Sequence, residues 1–381
     1  MKKCLLFIFA LSSLAVFSQV HQAPAYPLIT HSPYFSVWSF TNQLNASPTH
    51  HWTGADQPLH GILLVDGKKY RFLGTEETPY ETLLPNAEEA LYNCQYTENR
   101  PSDNWMNPDF TDTDWKTGTA PFGNSARKAK TIWRSKDIWM RRKFNLANLD
   151  IDQLMLRIHH DDNVEVYLNG TLVYTCTCWN NKNELFPLAE ALKSKLVKGQ
   201  NLLAIHCANT AGGSFLDAGL ANAAAIKADP SETTAIQKSV TVTATQTKYQ
   251  FQCGGVDLDL TFTSPLLLGD LSILSRPVSY VSFTTRSNDG KTHQAALYFG
   301  ASGLLAVNNA YQELTAEKIS IKGLESMKAG TTEQPVLQKK GDDLRIDWGY
   351  FYVAVPSAQK ALQTLTTDAG YRQVFDNSRQ T

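Results

Sequence analysis

Apolar and polar residues alternate along this chain with a period of two, and the alternation breaks at residue pairs that tolerate positive φ. Val164, Val166 and Leu168 lead to Asn169-Gly170, after which Thr171–Thr175 runs back. Ile62–Asp66 and Lys68–Leu73 flank Asp66-Gly67 in the same way. Asn-Gly and Asp-Gly fit type I′ turns, whose twist matches that of antiparallel strands. Val240–Phe251 and Val256–Phe262 alternate around Gly254-Gly255, and Pro277–Arg286 and His293–Phe299 alternate around Asn288-Asp289-Gly290. Leu344–Val355 reads as one more apolar, aromatic strand. Patterns of this kind, so often repeated, predict an all-β chain of antiparallel sandwiches. Helix signals are few. One spans about 187–197, with Pro187 at its start and Gly199 past its end. Another takes Ser357 as N-cap and runs toward Gly370, with Ala361, Leu362 and Leu365 on one face.

A length of 381 residues predicts two or three domains, and a hydrophobic share of 43% is ample for real cores. A net charge of −1 leaves no general basic field, so nucleic acid is not an expected partner. Lys2 and Lys3 precede an apolar run from Cys4 to Phe17. That run is too short to span a membrane and reads as a signal peptide over residues 1–18, cleaved before Gln19. Export to the periplasm or the extracellular space is therefore expected, with no membrane span in the mature protein. Composition shifts twice, to Trp-, Asn- and Asp-rich sequence from about Leu91 to Asn222, and back after a linker over 223–234 that holds Asp229-Pro230-Ser231. One β domain, formed by 19–90 and 235–381, is thus expected to carry another at 91–222.

Six cysteines are present, and loss of Cys4 with the signal leaves an odd number, hence at least one unpaired thiol. Cys176 and Cys178 lie two apart on an expected strand and point the same way, which suits neither a mutual bridge nor a zinc knuckle. Small buried hydrophobes are the expectation for these side chains.

Three segments outside 91–222 carry a resemblance. They are Pro27–Trp38, then His51–Pro58 with Val65–Gly74, and Leu274–Tyr280. They resemble the N-terminal half of secreted glutaminase A-like proteins, over about residues 24–75 and 235–381. The resemblance implies a split, supersandwich-like β region followed by a C-terminal helical toroid that would hold the catalytic site. The segment 91–222 resembles galactose-binding-like jelly rolls through Asn107–Trp115, Ala120–Gly123, Asp137–Phe144, His159–Gly170 and Leu196–Gly213. Such modules accompany many secreted carbohydrate-active enzymes, so glycans are a partner the resemblance implies. No cofactor motif is present, and a structural calcium in the jelly roll is compatible with the resemblance.

The candidate site residues follow from these readings. His31, Tyr34, Trp38, His51, Trp52 and Asp56 form a His-rich aromatic patch with three readings: a rim of the helical domain's active site, a metal site, or a pin across the sandwich. His50 and His51 point to opposite sides of an extended segment, which disfavours chelation. In His159-His160-Asp161-Asp162, Asp161 and Asp162 are expected to cap backbone amides at the turn into Val164–Leu168, and Asn169 and Gly170 to close the next hairpin. Trp133 and Trp179, with Asn180, are candidates for stacking on sugar rings, while Trp115 and Trp139 lie inside fold motifs and are expected in the core. Asp257 and Asp259 share a strand face that should line solvent. No Gly-x-Ser-x-Gly elbow, phosphate loop or paired-carboxylate set appears. The polar stretch Asp368–Thr381 lacks a closing strand and suggests a domain to follow. The expected function is that of a non-catalytic β half of a hydrolase, inactive by itself, whose partner is the C-terminal helical domain. The alternatives are a stand-alone carbohydrate-binding protein and a hydrolase acting on glutamine or glycosides.

Overall fold

The computed structural model describes residues 23–75, 80–126, 128–223, 232–310, 312–341 and 343–366. The expected signal peptide, most of the linker and the tail from 367 onward lie outside the described residues. Among the described residues, six β-sheets make up the architecture. Among the described residues no helix is long and apolar enough to cross a membrane.

Two six-stranded sheets stack to form the middle of the chain. One runs Thr131–Ile132, Phe122–Gly123, Phe215–Asn222, Leu154–Asp161, Glu184–Pro187, and the other Thr171–Cys176, Asn163–Leu168, Gly199–Ala208, Asp137–Leu146, Asn93–Thr97, Lys116–Thr119. Their inward residues, among them Phe122, Met140, Leu156, Ile158, Val166 and Ile205, fill one apolar core. The strand Glu81–Leu84 pairs with Phe215–Asn222 in this sandwich. The jelly roll therefore recruits a strand from before residue 91, where the composition shift had set its start. That shift marks Trp-rich loops, and strand pairing does not respect it.

A second core joins residues from both sides of this unit. Leu28, Val37, Leu59, Leu63 and Phe72 pack with Tyr249, Phe251, Leu258, Leu260 and Phe262. The walls are the sheet Glu232–Thr234, Lys68–Leu73, Leu59–Val65, Ala295–Ala301 and the meander Ile236–Val242, Gln246–Cys253, Val256–Thr263, Tyr280–Ser287. The tight turns fall where positive φ was expected: Asp66 and Gly67 at 48° and 88°, Asn169 and Gly170 at 47° and 84°. A Cβ at Gly170 would lie 2.7 Å from Asn107 Oδ1 and would push that side-chain end aside.

Other local readings are corrected. The run 240–251 is two strands, because the chain turns back after Val242 and Gln246–Cys253 pairs with Ile236–Val242. Asn288-Asp289-Gly290 does not close a hairpin. Tyr280–Ser287 pairs with Val256–Thr263, whereas Ala295–Ala301 crosses to Leu59–Val65. His293 fixes that crossing, its Nδ1 2.5 Å from Asp66 Oδ2 and its Nε2 2.9 Å from Asp289 Oδ1. Within 344–355 only Phe351–Pro356 is a strand, since Gly349 at φ 75° breaks the run. The expected helix at 187–197 is a single 3-10 segment, Glu190–Lys195. The helix from Ser357 stops at Gln359, where Lys360 is left-handed and the supposed apolar face, Leu362 included, meets solvent.

Cys176 and Cys178 are joined by a disulfide. The same-side argument holds only inside a pleated strand, and this strand ends at Cys176. Beyond it the chain bends until the two Cα atoms are 5.2 Å apart, inside bridging range. Cys178 is exposed, and Cys176 is half-buried and only borders the jelly-roll core, so neither is a fully buried core hydrophobe. Cys94, Cys207 and Cys253 are free and buried, as expected of small apolar side chains.

Candidate functional site at the junction of the sandwiches

The His-rich N-terminal patch lies where three segments meet. Pro33, at the turn between Tyr26–Ser32 and Phe35–Ser39, offers its carbonyl to two donors, His51 Nε2 at 3.0 Å and Trp52 Nε1 at 2.6 Å. With Nε2 donating, His51 Nδ1 is the acceptor and receives the Thr53 hydroxyl at 2.9 Å. Burial, and then the charge of Arg345, hold the His51 pKa down to about 4, so the ring is neutral near pH 7. A buried neutral imidazole with both nitrogens engaged is a pin.

Arg345 ties in the C-terminal segment. Its Nε and Nη2 donate to the Asn308 carbonyl at 3.0 and 2.8 Å, and its Nη1 to Thr53 Oγ1 at 2.9 Å and Asp343 Oδ1 at 2.5 Å. The Ile346 amide reaches the Tyr34 carbonyl at 2.9 Å. On the other flank, Asp56 contacts His50 at 2.9 Å and Lys182 of the jelly roll at 3.4 Å. Burial works against the charged Asp56 carboxylate, yet His50 and Lys182 outweigh it and keep its pKa below the ordinary value. His31 stacks on Phe35, and Trp38 Nε1 donates to Ser36 Oγ at 2.6 Å. Tyr34 and Trp52 present their rings to solvent. The structure thus brings His51, Trp52 and Tyr34 together around Pro33. Arg345, Asp343, Thr53 and Lys182, which no local sequence pattern marks, complete the junction.

Facing it is the loop after Leu154–Asp161. Burial, then the charge of Lys128, lowers the His159 pKa to about 3, and its ring packs 4.0 Å from Phe215. Lys128 also acts on Asp161 and, across the junction, on Asp343. Asp162 accepts from the Thr210 amide and hydroxyl at 2.6 and 2.7 Å and from the Ala211 amide at 2.9 Å. Those bonds, the Thr210 hydroxyl foremost, draw its pKa to about 2. Asp162 therefore caps a loop some fifty residues further on, not the turn beside it. Burial first, then Asp162, pushes Asp161 up to about 6. Asp217, also raised to about 6 by burial, is sealed inside by the Ala87 amide, the Tyr92 hydroxyl and Asn183.

The candidate sugar platforms separate cleanly. Trp133 has 0% exposure and belongs to the jelly-roll core, which removes it as a stacking surface. A tryptophan in an irregular segment carries no local sign of its depth. Trp179 is 63% exposed. Asn180 is fully used as a latch: its amide and side chain bond the His160 carbonyl, the His160 amide and the Ile158 carbonyl at 2.8–3.0 Å. Asn169 locks its hairpin through the Leu202 amide, the Lys195 carbonyl and Asn201.

Chemically, the junction offers one accessible carboxyl, Asp161, able to exchange a proton near neutral pH. The Thr53 hydroxyl is the one here bonded to a histidine ring, but a main-chain carbonyl stands behind that ring where a triad needs a carboxylate. A complete catalytic set is not assembled among the described residues of the junction.

Two family descriptions match the chain. Domain of unknown function (DUF4964) covers residues 11–85 and Domain of unknown function (DUF5127) covers residues 245–381. The two matches flank residues 86–244, where most of the jelly roll lies. No curated protein matches the chain. Among similar solved structures, a Bacteroides uniformis beta-glucuronidase 2 is 11% identical with a TM-score of 0.30, over 72% of this chain and 32% of its own. A glycosyl hydrolase family 2 member from Bacteroides cellulosilyticus is 12% identical with a TM-score of 0.28, over 69% of this chain and 35% of its own. A Bifidobacterium dentium beta-glucuronidase complexed with coumarin-3-O-glucuronide is 10% identical with a TM-score of 0.28, over 74% and 49%. The chain thus spans between about a third and a half of these proteins. Likeness at this level carries no argument about activity.

Proposed function

We propose that this chain is the non-catalytic β region of an exported, glutaminase A-like hydrolase, acting to seat and support a helical catalytic domain. In this reading residues 19–90 and 235–381 form a split sandwich, the jelly roll is inserted between them, and the mature protein works in the periplasm or outside the cell. The observation that carries it is an uncovered core face. In the meander, Leu260 is sealed, but Phe283, its cross-strand neighbour on the same face, is exposed. Leu266, Leu267, Leu268 and Leu271 are exposed just after the strand Val256–Thr263, and so are Tyr352, on the edge strand Phe351–Pro356 of the sheet with Leu314–Ile321 and Leu324–Thr331, and Tyr350 just before that strand. Apolar surface on this scale marks an interface, and the resemblance supplies its occupant, the helical domain. The disulfide supports export. Glutamine and aryl-glycoside turnover by the purified chain is expected to stay at background, and sustained turnover would remove the proposal.

A second reading, glycan binding by the jelly roll, is favoured by the exposure of Trp179, whose flat ring is free to stack on a sugar. Glycan-array binding by the chain should then be lost in Trp179→Ala. Binding unaffected by that change sinks this reading.

A further inference from the structure

The bond between Cys176 and Cys178 contributes little as a staple. Its partners are only two residues apart, and closing so short a loop removes little freedom from the unfolded chain. What surrounds it is more informative. One ring nitrogen of His160 and the two sulfurs lie within 4.8 Å of one another. The grouping is built by the fold. Asn180 clamps the loop after Cys176 to His160 through both main-chain groups of that residue, which swings Cys178 back over the strand. The His160 ring is buried, and its Nδ1 lies 2.6 Å from the Asp162 carbonyl. A carbonyl oxygen can only accept, so Nδ1 carries the proton and Nε2 keeps the lone pair. A main-chain carbonyl behind the imidazole is the outer-shell arrangement that orients a metal-ligating histidine.

We propose that Cys176, Cys178 and His160 form a redox-gated site for a thiophilic metal ion, zinc being the probe to which we commit. In the disulfide form the site is closed. A dithiol reductant opens it: the protein disulfide takes up two electrons and two protons to become two thiols, and the reductant leaves as its own disulfide. Zinc then binds as both thiols release their protons to solvent. Two thiolates and one imidazole supply three ligands, and the exposed side of Cys178 leaves the fourth position to water, as in open tetrahedral zinc sites. Among the described residues the other cysteines do not compete. Cys94, Cys207 and Cys253 are buried, and burial pushes the Cys94 and Cys253 thiols up to about 12 and Cys207 higher still. None of this depends on the hydrolase reading above.

The test uses the full chain, oxidised and after reduction by a phosphine that is then removed. Zinc stoichiometry is measured by competition with a chromophoric chelator, and cobalt(II) serves as a second probe through thiolate-to-metal charge-transfer absorption. One ion per reduced chain, none per oxidised chain, and loss of both signals in the Cys176→Ser/Cys178→Ser double variant are expected. Cys178 is exposed and Cys176 only borders the jelly-roll core, and serine is close to cysteine in size, so that variant should fold. His160→Gln should weaken zinc binding about ten-fold or more, on the scale at which lost or misoriented ligation acts. Failure of the reduced chain to bind zinc overturns the proposal, and so does binding that survives in the double serine variant.

Discussion

Arg141→Ala is expected to destabilise the jelly roll by about 3–5 kcal/mol, the scale on which removing one partner of a buried ion pair acts. The guanidinium has no exposed surface and sits on the strand Asp137–Leu146. Its Nε donates to Asp112 at 2.8 Å, and its other nitrogens donate to the carbonyls of Trp105, Asn107 and Phe110, the last two at 3.0 and 3.2 Å. The group also lies over the Phe110 ring. One planar fork thereby satisfies the carbonyls of a loop that makes no strand of its own. Alanine would leave Asp112 only Lys143, 3.5 Å away, and would take from the Trp105 and Phe110 carbonyls the guanidinium that holds them. Lysine at 141 keeps the charge but not the fork, and should recover only part of the loss. Denaturant unfolding followed by near-UV circular dichroism checks both variants. A loss below about 1 kcal/mol in Arg141→Ala would mean that the loop finds water instead, contrary to this account.

Phe251→Ala should cost about 3–5 kcal/mol as well, but in the other core. Phe251 is 1% exposed, packs 5.8 Å from Phe72 and lies 6.1 Å from Tyr249. Phe72 precedes the jelly roll and Phe251 follows it, so the cavity would weaken the contact that makes one sandwich of two distant segments. If the two cores unfold as separate units, Phe251→Ala moves one transition and Arg141→Ala the other, with additive effects in the double variant. A single transition shifted equally by both would show that the cores melt together.

Local turn chemistry made much of this fold readable. Asp66-Gly67, Asn169-Gly170 and Gly254-Gly255 each join strands paired directly across the two-residue turn. The information needed is held in the turn itself, as positive φ at residues that tolerate it. Asn288-Asp289-Gly290 looks equivalent but is not, because Ala295–Ala301 finds its partner in Leu59–Val65, more than two hundred residues away. No short window records that choice. For the cysteines, strand geometry stops at Cys176, and Cys178 lies two residues past that end, where the same-side rule no longer applies. A tryptophan in an irregular segment, such as Trp133, reads alike whether it fills a core or faces water. At the junction, His51 and Trp52 were legible as residues of interest, but their shared acceptor at Pro33 and the reach of Arg345 to Thr53 are tertiary facts. The Asp162 cap is similar: the carboxylate was expected to hold amides, yet the amides it holds belong to Thr210 and Ala211.

Asp161 is the group that most directly challenges the proposal that the chain is a scaffold without its own reactive centre. Initial rates of glutamine and aryl-glycoside hydrolysis by the purified chain, compared with those of Asp161→Asn across pH 4 to 8, test the claim. Background rates for both proteins at every pH are predicted. Turnover that follows an ionisation near 6 and disappears in Asp161→Asn would place catalysis in the β region and contradict it.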